Sequence, residues 1–432
     1  MIVSKFGGSC VSDSEKVKRT VAIIKANPER RYVMASAPSG ITDMLYICYS
    51  NFVNREDYHG MLDKISERFK EIINGIGINF DIDEEITTIK KNLISGINSD
   101  YVGSRGEYIM GKILAKFLGW EFVDADKIIF FNKDGSLDEG KTFTTAHQKI
   151  KDLEHAVIPD FYGATLDGNI KTFSRGDGDS SGAIVARAVE ADLFEKWSET
   201  AKTFSADPAV IPEPKIIKNI TYEEAVELNY IGIKIIRDSV IFMLKKVGIP
   251  IKICSIYDGE GDGMLISSKL PENISRNIAI CIAGRRNFDI IHIEKYGLNK
   301  AYGFGEKLFG LFARYKIACE HCLSGIYKMS IVIKTPTFDL RRSEVLNEIQ
   351  KILDADSITT EKDLSLIAVI GKGMGATKGT FEKVFYALAT AKIKVRIIDQ
   401  GSDDLNIIIG VSDEDYENAI KALYEAMILK KD

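Results

Sequence analysis

Three short stretches of the chain carry residue types that can do chemistry. Lys5 stands two residues before Gly7-Gly8-Ser9, where a β-prone run, Ile2 to Phe6, breaks off. A second glycine-rich turn, Ser174-Arg175-Gly176-Asp177-Gly178-Asp179-Ser180-Ser181-Gly182, joins a strand-like Ile170 to Phe173 to a small-residue helix from Ala183 to Ala191. Turns leading from a strand into a helix present backbone N–H groups and a positive helix end to anionic oxygens. Moving a phosphoryl group requires cations around it and donors at its oxygens, which Lys5, Arg175 and these turns can supply. Neither turn has the Gly-x4-Gly-Lys spacing of a P-loop or the Gly-x-Gly-x-x-Gly of a dinucleotide site. The plainer readings stay open: a tight turn at Gly7-Gly8, and a surface ion pair of Arg175 with Asp177 or Asp179. The third stretch, Cys319-Glu320-His321-Cys322, has the spacing of a redox pair or half a zinc site.

Charge and composition narrow the partners. Lys and Arg total 57 against 62 Asp and Glu, a net charge of −5, so no nucleic-acid backbone is expected as a ligand. No apolar run approaches the ~18 residues of a spanning helix, and the first residues lack the apolar core of a secretion signal, so no membrane partner is expected. Six cysteines in 432 residues suit a reducing compartment, and a cytoplasmic location is the expectation. That length predicts two or three domains, and the nine prolines form no linker cluster.

The elements that would position these residues read as an α/β protein. Ser12 precedes Glu15 at capping-box spacing, and Val17, Val21 and Ile24 continue at helical period. Tyr32 to Ala35 returns as a strand and ends in the loop Ser36 to Asp43. A helix is predicted from Ser104, where Ser104-x-x-Glu107 also reads as a capping box. A strand follows over 121–131, a loop and helix over 141–157, strands at Leu193 to Trp197 and Ile251 to Ile256, and one long helix from Tyr222 to Val247. Strand and helix in alternation imply a mostly parallel sheet flanked by helices, closing near residue 268.

The remainder is a duplication. At a constant offset of 76, Gly303 to Ile333 matches Gly379 to Ile409 at ten of 31 positions, among them Gly303/Gly379, Lys316/Lys392 and Ile331/Ile407. Each copy reads as helix, strand, turn and strand behind a leading strand, the pattern of a small α+β sandwich. The predicted domains are therefore 1–268, then modules at 269–345 and 346–432, in tandem or intertwined. Cys319 and Cys322 fall opposite Val395 and Ile398 in the second copy, which favours strand residues filling a core over metal ligands, and no metal site is predicted.

Lys5-Phe6-Gly7-Gly8-Ser9 resembles the N-terminal signature of the aspartokinases. Ser104-Arg105-Gly106-Glu107, Arg175 to Ser181, and Tyr222-Glu223-Glu224 followed by Gly232-Ile233-Lys234 resemble further blocks of that family in the same order. The duplicated tail is similar to its paired ACT modules, so the resemblance covers essentially the whole chain. It implies the amino-acid-kinase fold followed by two ferredoxin-like ACT modules. The implied activity is transfer of the ATP γ-phosphoryl group to the β-carboxylate of L-aspartate, a first step towards lysine, threonine and methionine. By position, Lys5 would stabilise the moving phosphoryl group, aided by the amides of Gly7, Gly8 and Ser9. Asp179 would orient Lys5 or the acceptor. Arg175 would clamp the α-carboxylate of aspartate, Glu107 would take its ammonium, and Ser39, Thr42 and Ser180 would line the pocket. Phe161 and Gly163 would pack a matching loop. Ser198, Glu199 and Lys234 would serve ATP, with Mg²⁺ held mostly by the nucleotide phosphates and water.

Some positions depart from the family pattern. Ser9-Cys10 replaces Thr-Ser, Ser198-Glu199 replaces Thr-Asp, Ala209 replaces the Arg of an Asp-Pro-Arg, and Arg237-Asp238 replaces His-Pro. These bear on nucleotide affinity more than on aspartate recognition. For regulation, the resemblance implies an effector at Gly303, Phe304, Gly305, Glu320, Ser324 and Gly325, with lysine expected and threonine the runner-up. It also implies a homodimer or homotetramer paired through the modules. A chain ending at Asp432 is expected to be monofunctional, without the fused homoserine dehydrogenase of bifunctional relatives. Two rival readings remain: a kinase for another carboxylate or carbamate, and an amino-acid-binding regulator with a decayed kinase core.

Overall fold

The computed structural model describes residues 1–258, 262–270, 278–375, 377–401 and 404–429, so the chain end at Asp432 lies outside the described residues. The chain divides into two compact units. The first comprises Met1–Thr203, Lys218–Ala225 and Ile235–Glu272; the second comprises Phe204–Ile217, Val226–Lys234 and Asn273–Asp432.

The first unit is built on an eight-stranded sheet. Its order is Glu121–Phe122, Ala156–Pro159, Arg30–Ala35, Ile2–Phe6, Leu193–Ser198, Ile251–Ser255, Met264–Ser267 and Asn219–Thr221. Every neighbouring pair is parallel except Ile251–Ser255 with Met264–Ser267. The central strands are buried along almost their whole length, as expected when helices cover both faces. The helices Ser14–Ala26, Ile41–Val53, His59–Ile76, Ile82–Ile94 and Ser99–Leu118 share one apolar core. In a parallel sheet of this kind, ligand sites form in the loops beyond the carboxyl ends of the strands.

Several local readings are corrected. The first helix is capped by Asp13, whose side chain accepts from the Lys16 amide, and not by Ser12. The helix Ser99–Leu118 is capped by Asn98, which places Ser104 and Glu107 in its interior and removes the capping-box role. The expected strand over 121–131 is two two-residue strands separated by a 3₁₀ turn. The expected long helix is two, Tyr222–Tyr230 and Asp238–Lys245. Between them Gly232 adopts φ +103°, which a helix cannot accommodate.

The second unit holds one six-stranded antiparallel sheet, in the order Cys319–Ser324, Lys328–Lys334, Cys281–Glu294, Ser357–Ile370, Asn406–Ser412 and Ile397–Asp399. The duplication persists in the backbone. Helices Phe304–Arg314 and Thr380–Thr390 start behind Gly303 (φ +73°) and Gly379 (φ +83°), and Lys316 and Lys392 are both left-handed. The two copies do not make separate sheets, because Cys281–Glu294 and Ser357–Ile370 pair with each other along most of their length and run through both halves. One apolar core lies under the first copy's helices and another under the second's. The segment with Asp207-Pro208-Ala209 belongs to this unit, and Val210 and Ile211 join the second core.

Candidate active site

The parallel strands of the first unit end in a cavity of about 400 Å³ lined by residues from Lys5 to Lys196. Lys5 is the next-to-last residue of the strand Ile2–Phe6, and its ammonium lies 2.9 Å from Asp179 Oδ1 and 3.6 Å from Asp160 Oδ2. Asp179 opens the helix Asp179–Ala188, so the second glycine-rich turn delivers a carboxylate and a helix N-terminus to the same place. Asp179 Oδ2 accepts a further ammonium, that of Lys196, at 2.8 Å. Burial alone would raise the Asp179 carboxyl, but Lys5 and Lys196 together hold it well below the usual carboxylate range. Burial would likewise lower the Lys5 ammonium, yet Asp179 and Asp160 leave it raised, so it stays charged.

Gly8 meets the neighbouring loop so closely that a Cβ would stand 2.5 Å from the Ala37 carbonyl oxygen. That approach brings Ser39 beside the turn, where its amide donates to the Gly8 carbonyl at 3.2 Å. The Gly7 amide, expected to serve phosphate, is taken up by the Trp197 carbonyl at 3.1 Å, because the loop continues the pairing of the adjacent strands. Cys10 is buried with its thiol on the Trp197 carbonyl and belongs to the core.

Across the cavity, Glu107 is buried in its helix. Its Oε1 accepts from the Thr42 hydroxyl at 3.0 Å, while Oε2 has no partner among the described residues. Burial, with the Asp160 charge adding to it, pushes this carboxyl up to about 8, against the Thr42 hydroxyl and the Ala37 amide, which lower it. Arg175 lies at the rim, 68% exposed, 3.2 Å from Asp43 and over the Tyr46 ring. The sequence pairings with Asp177 or Asp179 are thereby replaced. Ser180, expected to line the pocket, is not among the residues lining this cavity; its hydroxyl donates to Asp177 at 2.6 Å and fastens the turn. Gly163 sits in the strand Tyr162–Thr165, and Phe161 is left-handed (φ 74°), its amide donating to Asp160 and to the Ser181 hydroxyl.

Of the residues expected to serve ATP, Ser198 ends its strand with its hydroxyl on the Thr200 carbonyl, and Glu199 pairs with Lys16 at 2.6 Å. Lys234 is exposed in the break between the two helices. Two residues that sequence reasoning missed, Lys196 and Asp160, and one it noted only as a departure, Arg237, matter here. Lys196 binds Asp179 and the Ile235 carbonyl. Asp160 holds Lys5, and burial raises its carboxyl. Arg237, noted as a departure, donates to the carbonyls of Arg175 (2.8 Å) and Gly176 (2.9 Å) and so braces the turn. The signal available in the sequence was Lys196 itself, a lysine inside the expected strand Leu193 to Trp197.

In the second unit the six expected effector residues fall in two places. Phe304 is buried in the helix-side core, and the loop before it hydrogen-bonds the turn after Ser324-Gly325, through the Asn299 amide on Ile326 and the Lys295 amide on Tyr327. Glu320 stands at the other end of the strand Cys319–Ser324, about 13 Å from Ser324 at the usual rise per residue. It pairs with Lys334 at 2.9 Å and accepts from the Tyr230 hydroxyl at 3.1 Å. Ile331 and Ile333 face the helices, so the alternation puts Lys334 and its partner on the opposite face. The expected single pocket is thus split in this chain. Cys319 packs against the first core as expected, but Cys322 is exposed because it lies on the sheet's edge strand.

A fold of this kind, with a lysine and a glycine turn at the end of the first strand, defines a class. The sequence model of the amino acid kinase family matches residues 1–255, and that of an ACT domain matches 367–427. The chain belongs to the amino acid kinase family. Within it, the chain groups with the aspartokinases. Aspartokinase 3 of Bacillus subtilis strain 168 is 28% identical over 449 residues, covering 98% of each chain. The Clostridium acetobutylicum aspartate kinase structure is 39% identical, with a TM-score of 0.93 over 99% of this chain and 100% of that one. Aspartokinase III of Escherichia coli, solved with aspartate and ADP (R-state) and with lysine and aspartate (T-state), shares the fold. Its TM-scores are 0.74 and 0.75 at 22% identity, over 99–100% of each chain.

Proposed function

We propose that the first unit phosphorylates the β-carboxylate of L-aspartate with ATP, giving 4-phospho-L-aspartate. The observation that carries this reading is the cavity's division of labour. Paired ammonium groups stand at the strand ends, facing a buried, half-unpartnered Glu107 and a rim guanidinium, Arg175. Arg175 suits the substrate's α-carboxylate, because a guanidinium fork binds carboxylate in two places. Glu107 suits its ammonium, with Thr42 and Ser39 beside it. The side-chain carboxylate is then left towards Lys5.

One oxygen of that carboxylate attacks the γ-phosphorus. The bond from this phosphorus to the β–γ bridging oxygen breaks, and its electron pair leaves with ADP. No base is required, since the nucleophile is already ionised at neutral pH. Lys5, held by Asp179 and Asp160, meets the charge on the transferring group. Ser198 and Glu199 are assigned to the nucleotide, with the Gly8 and Ser9 turn at its phosphates; Lys234, also expected to serve ATP, belongs to the second unit. Among the described residues no cluster of three or more His, Cys, Asp or Glu offers a metal cage, and both oxygens of Asp179 already face ammonium groups. Mg²⁺ is assigned to the nucleotide phosphates and water, and when bound there it would supply positive charge to the transferring group.

The second unit is assigned to feedback control by an end-product amino acid, lysine before threonine, in a homodimer or homotetramer paired through the duplicated modules. Glu320 supports the choice of lysine: its carboxylate is sheltered, while its partner Lys334 is 41% exposed and open to replacement by another ammonium. The test is the initial rate of ADP release with ATP and aspartate, titrated separately with lysine, threonine and methionine. No aspartate-dependent rate would favour a regulator with a decayed core. Activity surviving both Arg175→Ala and Glu107→Ala would favour a kinase for another acceptor.

A further inference from the structure

Lys196 lies directly beside Lys5. The parallel pairing of Ile2–Phe6 with Leu193–Ser198 sets these two residues opposite each other in register, and both line the cavity. Two ammonium groups on adjacent strands repel, and a fold retains such a pair only where something compensates it. Asp179 does so with one oxygen for each, at 2.9 and 2.8 Å. An ammonium has three N–H groups. Lys5 has Asp179 and Asp160 as neighbours, and Lys196 has Asp179 and the Ile235 carbonyl at 3.1 Å. Each therefore keeps one donor for a ligand. Lys196 is the more open of the two, with 21% of its side chain exposed against 10% for Lys5.

We propose that Lys196 is a second catalytic cation, which with Lys5 grips the γ-phosphoryl group as it passes from ADP to the acceptor carboxylate. This rests on the kinase reading above. The bonds made and broken are those given there; Lys196 gains and loses no proton and contributes only charge and a donor.

The test compares wild type, Lys196→Met and Lys196→Arg by steady-state rate, melting temperature, and affinity for Mg²⁺-ADP alone and with fluoroaluminate and aspartate. The Met variant is expected to lose 10²- to 10³-fold in kcat, the usual cost of removing one transition-state donor. Its affinity for ADP should change less than threefold, and it should fail to tighten on ADP when fluoroaluminate is added. The Arg variant should recover at least tenfold of the lost rate. A Met variant that retains kcat, or that captures ADP–fluoroaluminate as wild type does, overturns the proposal. So does an Arg variant as slow as Met when it melts like wild type, since shape rather than charge would then be at issue. A wild type without ATP- and aspartate-dependent turnover would overturn the kinase reading itself. An active wild type beside an unimpaired Met variant removes only the role of Lys196.

Discussion

Two ionic clusters, one in each unit, are built on opposite plans. In the first unit Asp179 is held on both oxygens by ammonium groups that are themselves buried or nearly so. In the second, Glu320 is as sheltered as Asp179, but its cation reaches it from solvent. A buried charge whose partner is removed is left uncompensated at several kcal/mol, about 3–5, whereas a partner arriving from water can be exchanged for another at little cost. The first arrangement is a fixed electrostatic frame. The second leaves its ammonium exposed to solvent, which is the feature the proposed effector site would use.

Substitutions should separate the two plans, and Lys5→Met should act most strongly. Both its charge and its hold on Asp179 go, so kcat should fall by about 10³-fold or more in an ADP-release assay. A loss below tenfold would mean the buried frame is merely structural. Arg175→Ala comes next. The side chain is exposed, so folding should be spared and the effect should fall on the KM for aspartate, by about 10- to 100-fold, the range for a lost charged hydrogen bond.

The pH response of Glu107 sharpens the picture further. Its carboxyl is raised from 4.5 to about 8. Between those values the folded protein binds a proton that the unfolded chain has released, so this group's contribution to stability declines as pH climbs through the window. Aspartate's ammonium needs the ionised form, so aspartate affinity should improve as pH rises towards 8, by at most tenfold per unit, and level off above it. Calorimetry between pH 6.5 and 8.5 should detect proton release on binding, and Glu107→Gln should flatten the dependence. A flat profile in the wild type would remove Glu107 from the ammonium site.

The smallest effects on uninhibited rate belong to the second unit. Glu320→Ala should raise the lysine concentration for half-inhibition at least tenfold while moving turnover far less. Lys334→Met removes the resident ammonium and should lower that concentration severalfold. If either change collapses turnover, Glu320 is part of the fold's support and the comparison fails.

Much of this was legible in the order of residues. Lys5, the two glycine turns and the helix after Asp179 announce themselves because strand, turn and cap signals act over a few neighbouring residues. The 76-residue offset was equally open, since duplicated modules keep their glycines and core positions. Other readings failed where local signals compete. Ser104-x-x-Glu107 has capping-box spacing, but Asn98 caps earlier and the glutamate turns inward to Thr42. Ser180 looks like a substrate hydroxyl until Asp177 claims it.

The sequence by itself therefore determined the class of fold, the duplicated tail and the residue types of the phosphoryl site, all of which are patterns along the chain. Only the tertiary structure decided which groups meet. Lys5 and Lys196 are 191 residues apart and are neighbours because two strands pair in one register and not another. Asp179 reaches both, Arg237 reaches back to the turn of Arg175, and Glu320 is turned away from the helix start it was expected to join. The physical reason is that an ion pair depends on distance through space, which strand pairing and helix packing set and sequence separation does not.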